Sequence, residues 1–167
     1  MPNRNRLFTL LLLFSLIVMS APANAAEEAL FLNLIDGDSM WVEYQGRSRE
    51  VRLIGIDAPE WGQEYGTKAK SHALNFCYGK QLTLEFDKGR KDKYGRLLAY
   101  VYCGKRMLNE ELVRAGLALA VRYEPNVKYQ KRLERAEKEA RAKRNGFWLR
   151  GGLKQTPYEW RKSHRKK

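Results

Sequence analysis

Apolar residues recur at every second position along several short stretches of this chain and at helical spacing along others. Ala29–Ile35 opens the folded part as an apolar strand. Ser39–Tyr44 and Ser48–Ile56 follow, divided by Gln45-Gly46-Arg47, a hairpin-type break between two strand-like runs. Gln81–Phe86 places Leu82, Leu84 and Phe86 on one face, and Leu97–Tyr102 gives another strand. The helical pattern holds over Gln63–Tyr78, with Ala69, Ala73, Leu74 and Cys77 as the buried stripe and Gly79 as the stop. It returns over Met107–Ala115, ending at Gly116. A third helix starts with Asn126 as N-cap and runs to about Arg144, with Tyr129, Leu133, Ala136 and Ala140 inward. Glu134–Lys138 and Arg135–Glu139 are its expected surface pairs, and Asn145-Gly146 closes it. Five short strands interleaved with about three helices predict an α+β fold, mainly a small β barrel with helices packed on it. A five-stranded OB-fold barrel is one candidate among other α+β folds.

The first 25 residues stand apart from this pattern. Arg4 and Arg6 precede an uncharged, mostly apolar run, Leu7–Ser20, and Ala23-Asn24-Ala25 supplies a small-residue cleavage site. That run is short of the roughly 20 residues a spanning helix needs. Residues 1–25 therefore read as a secretory signal peptide, 26–149 as the folded domain and 150–167 as a basic C-terminal tail. The mature protein is expected to be exported, periplasmic or released. Export changes the reading of the two cysteines, Cys77 and Cys103. An oxidising compartment favours one disulfide between them over two buried thiols.

Charge narrows the partners. The chain has a net charge of +13, and five of its last seven residues are Lys or Arg. Such a surface attracts polyanions, nucleic acid or anionic envelope polymers. The chemistry concentrates in Leu34–Glu60. Asp36-Gly37-Asp38 enters the hairpin, and Ile56-Asp57-Ala58-Pro59-Glu60 leaves it. A hairpin goes out and back, so Asp38 and Asp57 can end on the same side of a sheet. Two converging carboxylates make a hard-oxygen site suited to Ca²⁺ or Mg²⁺. Arg52 lies in the second strand on the face of Ile54 and Ile56, where a guanidinium needs an anionic partner, a carboxylate or a substrate phosphate. His72 and His164 lack metal-ligand spacing.

These segments resemble the thermonuclease, or staphylococcal nuclease-like, family. The likeness is carried by Ile35–Ser39 (IDGDS), Val51–Glu60 (VRLIGIDAPE), Tyr65-Gly66, Phe86–Gly89 (FDKG), Asp92–Tyr102 (DKYGRLLAYVY), Leu108–Ala118 (LNEELVRAGLA) and Gly146–Trp148, in order along the chain. The resemblance implies an OB-fold barrel with helices. It also implies a Ca²⁺-dependent phosphodiesterase that cuts DNA and RNA at the 5′ P–O bond and leaves 3′-phosphates. It further implies that Asp38, Asp57 and the backbone carbonyl of Ala58 hold the metal. By the same likeness Arg52 and Arg96 bind the phosphate, Glu60 is the proposed general base, and Lys93, Tyr94 and Tyr123 contact the nucleotide. This sequence departs from the best-known member at Ser39 and Ala58, where that protein has Thr, and at Val121, where it has Tyr. A ligand that is a backbone carbonyl survives the change at Ala58. The loop at Arg90-Lys91 is one residue shorter, and the cysteine pair is absent from that member.

The residue types suit the reaction. A phosphodiester repels a hydroxide nucleophile, and two guanidiniums with a dication supply positive charge where the pentavalent state gains negative charge. Aromatic and phosphate contacts carry little base information, so cleavage should be sequence-tolerant, with single strands preferred, by a monomer. The competing readings are a non-catalytic OB-fold nucleic-acid-binding module, which would have lost members of the set Asp38, Arg52, Asp57, Glu60 and Arg96, and a cationic envelope-active protein built on the tail.

Overall fold

Gln45 and Gly46 both adopt positive φ, 52° and 69°. This is the twist that a two-residue turn needs between strands of right-handed twist. The turn pairs β2 (Ser39–Tyr44) with β3 (Arg47–Leu53), Tyr44 opposite Arg47 and Ser39 opposite Arg52. In the computed structural model, which describes residues 26–164, this hairpin is one side of a closed barrel. The signal peptide expected over residues 1–25 lies outside the described residues.

β1 (Glu27–Leu34) pairs antiparallel with β2 on one side and with β5 (Leu82–Glu85) on the other. β5 pairs with β6 (Leu97–Cys103), and β6 returns to β3 in a parallel pairing that sets Arg52 beside Leu98. Five strands thus close on themselves, as the α+β barrel reading expects. The alternation along β2 is clean: Met40, Val42 and Tyr44 face inward, while Trp41 and Glu43 face out. β6 is buried along nearly its whole length, because helices cover its outer face as well. β7 (Arg106–Met107) extends the sheet beyond β6. A separate two-stranded ladder joins β4 (Ile56–Asp57) to β8 (Leu119–Ala120).

Four helices pack on the barrel: α1 (Gly66–Cys77), α2 (Leu108–Arg114), α3 (Gln130–Ala142) and α4 (Pro157–Ser163), with a 3-10 turn at Gly146–Arg150. Several expectations need correction. β3 stops at Leu53, and Gly55 takes φ 76°, so Arg52 does not continue an alternation with Ile54 and Ile56. The inward stripe of α1 is Ala69, Ala73, Phe76 and Cys77; Leu74 lies off that stripe and is exposed. Asn126 does not cap α3, which begins at Gln130 after Tyr129. Its amide instead clasps Gly89, accepting from the Gly89 N–H at 2.7 Å and donating to the Gly89 carbonyl at 2.9 Å. Among the described residues neither Glu134–Lys138 nor Arg135–Glu139 forms an ion pair. Glu134 accepts from Gln130, and Glu139 reaches across to Arg114 on α2.

Cys77 at the end of α1 and Cys103 at the end of β6 are joined by a disulfide, with Cα atoms 5.0 Å apart. The bridge closes a loop spanning 26 positions that contains β5 and the segment leading to Arg96. By the chain-entropy argument it stabilises the fold by roughly 3–4 kcal/mol. Mass spectrometry of the oxidised protein should find one bond and no free thiol. The Cys77→Ser/Cys103→Ser double variant should unfold in urea with a stability lower by about 3 kcal/mol. A change below about 0.5 kcal/mol would show that the bridge braces nothing.

Candidate active site

The turn into the hairpin is built by its own side chains. Asp36 Oδ1 accepts from the Asp38 N–H at 3.0 Å, and the Ile35 N–H bonds the Ser39 carbonyl at 2.9 Å. Gly37 makes the turn possible, because a Cβ there would lie 2.8 Å from the Cβ atoms of both Ala58 and Ala69. The turn is thereby pressed onto α1 and onto the segment that carries Asp57. Asp38 and Asp57 are both buried. One guanidinium nitrogen lies between them: Arg52 Nη2 is 3.3 Å from Asp38 Oδ2 and 3.2 Å from Asp57 Oδ1. Arg52 Nη1 donates to its neighbour's carbonyl, Leu53 O, at 2.6 Å, which fixes the fork. The Ala58 N–H donates to Asp38 Oδ2 at 2.6 Å.

Burial pushes the Asp38 carboxyl up to about 7, against the pull of Arg52. Asp38 has only a share of the Arg52 guanidinium, which is too little positive charge to offset its burial. The donor set of Asp38 and Asp57 is oxygen only, which fits a hard divalent cation with a flexible shell. Among the described residues no group of three or more His, Cys, Asp or Glu side chains is gathered for a metal. A cation here would therefore rest on Asp38 and Asp57, with the Ala58 carbonyl that the family resemblance implies, and with water.

Glu60 is held from behind. Its N–H donates to Gln63 Oε1 at 3.1 Å, and α1 begins against its backbone. A Cβ on Gly66 would lie 2.1 Å from the Glu60 carbonyl oxygen, so only glycine lets the helix start there. The side chain of Glu60 points toward Asp57, for both accept from one nitrogen of Arg161: Nη1 lies 2.5 Å from Glu60 Oε1 and 3.0 Å from Asp57 Oδ1.

Arg96 stands beside Arg52 through the β3–β6 pairing. Its Nη1 is 3.6 Å from Glu50 Oε1, and Glu50 and Arg52 share one face of β3. Asp92 sets its direction. Asp92 Oδ1 accepts from the N–H groups of Tyr94 and Arg96 at 2.9 and 3.0 Å, and Oδ2 accepts from Arg96 Nε at 2.7 Å. Burial raises the Asp92 carboxyl, but the bonds from Arg96 and Tyr94 outweigh it and hold the group below its ordinary range. Lys93, Tyr94 and Tyr123 line a cleft of about 320 Å³ next to Arg96. The Lys93 ammonium lies 5.0 Å from the Tyr94 ring centre. Asn126 belongs to the same wall.

The structure thus joins Asp38, Arg52, Asp57 and Ala58 by direct contacts, ties Glu60 to Asp57 through Arg161, and gathers Lys93, Tyr94, Arg96 and Tyr123 around a second cleft. Asp92, Asn126 and Arg161 were missed by sequence reasoning. Asp92 left a trace in its spacing of four from Arg96 across a Gly-containing turn. Arg161 left none of its own, because it is 101 positions from Glu60 in a tail that reads as a basic arm for polyanions.

Residues 50–150 match the family profile described as staphylococcal nuclease homologue. The chain belongs to the staphylococcal nuclease family. Within it, the chain is similar to a thermonuclease of Staphylococcus hyicus, 41% identical over 133 residues that cover 75% of this chain and 79% of the relative. It is also similar to a thermonuclease of Staphylococcus intermedius, 41% identical over 130 residues, 74% and 77% of the two chains. The endonuclease YncB of Bacillus subtilis is 41% identical over 126 residues, 71% of this chain and 60% of that protein. The stretch matched to the staphylococcal nuclease family contains Arg52, Asp57, Glu60 and Arg96, whereas Asp38 precedes it and α4 follows it.

Asp92 generates a direct test. Asp92→Ala should leave the fold intact and lower turnover about 100-fold by freeing Arg96, with a smaller effect on KM. Asp92→Asn keeps an oxygen acceptor for the loop N–H groups and should restore part of the loss. Equal turnover in the wild type and Asp92→Ala would mean that Arg96 needs no such support.

Proposed function

We propose that the protein is an exported, monomeric, Ca²⁺-dependent nuclease that hydrolyses the 5′ P–O bond of DNA and RNA, leaves 3′-phosphates and prefers single strands. The coarser part follows from the family: the chain is a nuclease. The observation that supports the metal and phosphate chemistry is the junction of Asp38, Asp57 and Arg52 at one guanidinium nitrogen, with Glu60 beside Asp57 and Arg96 paired to Glu50 on the β3 face of Arg52. A non-catalytic module would have no reason to keep two buried carboxylates at such desolvation cost.

Each residue then has a task. Asp38 and Asp57, with the Ala58 carbonyl, would hold the cation, which supplies Lewis-acid stabilisation of the phosphoryl oxygens when bound. Arg52 and Arg96 offer planar forks that can each bond two phosphate oxygens, as a lysine cannot. Their charge gains value as the phosphorus becomes pentavalent and more negative. Glu60, beside Asp57, orients an attacking water and accepts its proton. Lys93, Tyr94 and Tyr123 hold the neighbouring nucleotide through charge and ring faces, contacts that any base can satisfy. A cleft open on one surface admits a flexible strand more readily than a stiff duplex. No helix among the described residues is long and apolar enough to cross a membrane.

The decisive experiment measures initial rates on one labelled sequence, presented single-stranded and as duplex, in Ca²⁺ and in excess chelator. Cleavage should require the cation and run faster on the single strand. Asp38→Ala and Asp57→Ala should abolish it with the fold unchanged. Arg52→Lys and Arg96→Lys should each lower turnover by about 10²–10³, the scale of a lost transition-state donor. Undiminished cleavage in chelator would sink the metal assignment, and a clear duplex preference would sink the single-strand reading.

A further inference from the structure

Arg161 reaches the carboxylates from α4, a helix beyond the family-matched stretch. The helix is fixed in place. Thr156 and Glu159 form a reciprocal cap at its start, Pro157 is buried, and Gln63 Nε2 donates to the Gln155 carbonyl at 2.8 Å. This places Arg161 end-on against Asp57: Nη1 and Nη2 lie 3.0 Å from Oδ1 and Oδ2, and Nη1 also meets Glu60 at 2.5 Å. Three of its five N–H groups are used. The Nε–H and the outer Nη2–H, the side-on edge of the fork, have no partner among the described residues. That edge can take two oxygens of a phosphate, and 42% of the side chain is exposed.

Beside it lies a cleft of about 360 Å³ lined by Glu60, Trp61, Trp160, Arg161 and His164. Trp61 is 72% exposed, its indole largely open to solvent. Trp160 and His164 stack, ring centres 3.8 Å apart, and present a second flat surface. Lys70 Nζ lies 5.8 Å from the Trp61 ring. Flat rings beside a phosphate-ready arginine are the elements of a single-strand subsite. A chain of neighbours runs between the two clefts. Arg96 lines the Tyr94/Tyr123 cleft and pairs with Glu50, two positions before Arg52 on β3; Arg52 bonds Asp57, and Asp57 bonds Arg161. The tryptophan cleft lies at the far end of that line.

We propose that α4 builds a second nucleotide subsite, across the carboxylates from the Tyr94/Tyr123 cleft. It takes one nucleotide of a single strand, with the phosphate on the side-on edge of Arg161 and the base in the cleft that Trp61 and the Trp160–His164 stack both line. The inference rests on the nucleic-acid reading above and extends it to the strand on the other side of the scissile bond.

The test is equilibrium binding of a fluorescent oligothymidylate series of increasing length, in excess chelator so that no strand is cut. Wild-type protein should gain affinity once the strand is long enough to cross the carboxylates. Trp61→Ala and Trp160→Ala should each bind such a strand about tenfold more weakly, the scale of a lost stacking face, and should lose that gain with length. Arg161→Gln should weaken binding and reduce the salt slope by about 0.7, one phosphate contact on a single strand. Trp61 is exposed, so Trp61→Ala keeps the fold even if a change in α4 does not. Unaltered binding in all three variants overturns the proposal. So does tighter binding by Arg161→Gln, which would make α4 a lid that excludes the strand. A wild-type protein that binds the series as described but cuts nothing in Ca²⁺ refutes the nuclease chemistry and leaves the subsite standing. Normal cutting with unaltered variant binding refutes the subsite alone.

Discussion

The parallel contact between β3 and β6 is the constraint on which the site depends. It closes the barrel, and it is the step that brings together two arginines 44 positions apart in the chain. Without it, Arg52 and Arg96 would lie at opposite edges of an open sheet. Parallel neighbours need a long crossover, and here the intervening chain supplies α1, β5 and the Asp92 turn. Closure also removes the sheet edges that would otherwise pair with other chains. The same contact therefore serves the fold and the placement of charge.

Around that closure the site is assembled from opposed demands. Two carboxylates are buried together, and the guanidiniums of Arg52 and Arg161 that reach them leave Asp38 only partly offset. Such an arrangement is poor for stability and suited to binding a dication. Backbone packing holds it in place: Gly37 lets the first turn sit on Ala58 and Ala69, and Gly66 lets α1 begin against Glu60. The precision of the carboxylates thus comes from small residues packed behind them.

Much of this was legible in the sequence, for a physical reason. The hairpin pattern and its two Asp-bearing turns are local, so period and turn chemistry expose them. The partner that Arg52 required could be named as an anion before its identity was known. What escaped was non-local or depended on where a period breaks. Ile54 leaves the strand face because Gly55 turns the chain. Asn126 looks like a cap by composition, yet its two-sided amide is used on Gly89, which lies 37 positions away. Arg161 carries no local signature at all, since one arginine among many in a basic tail gains meaning only from where α4 docks.

The disulfide has a consequence of another kind. A clamp made from two thiols exists only where thiols are oxidised. Inside a reducing cell the same chain lacks the brace between α1 and β6, and the loop that aims Arg96 hangs from a looser frame. A nuclease endangers the cell that makes it more than any other. Here the redox state of the surroundings decides how much of the enzyme's stability is present, and a reducing compartment holds the least of it.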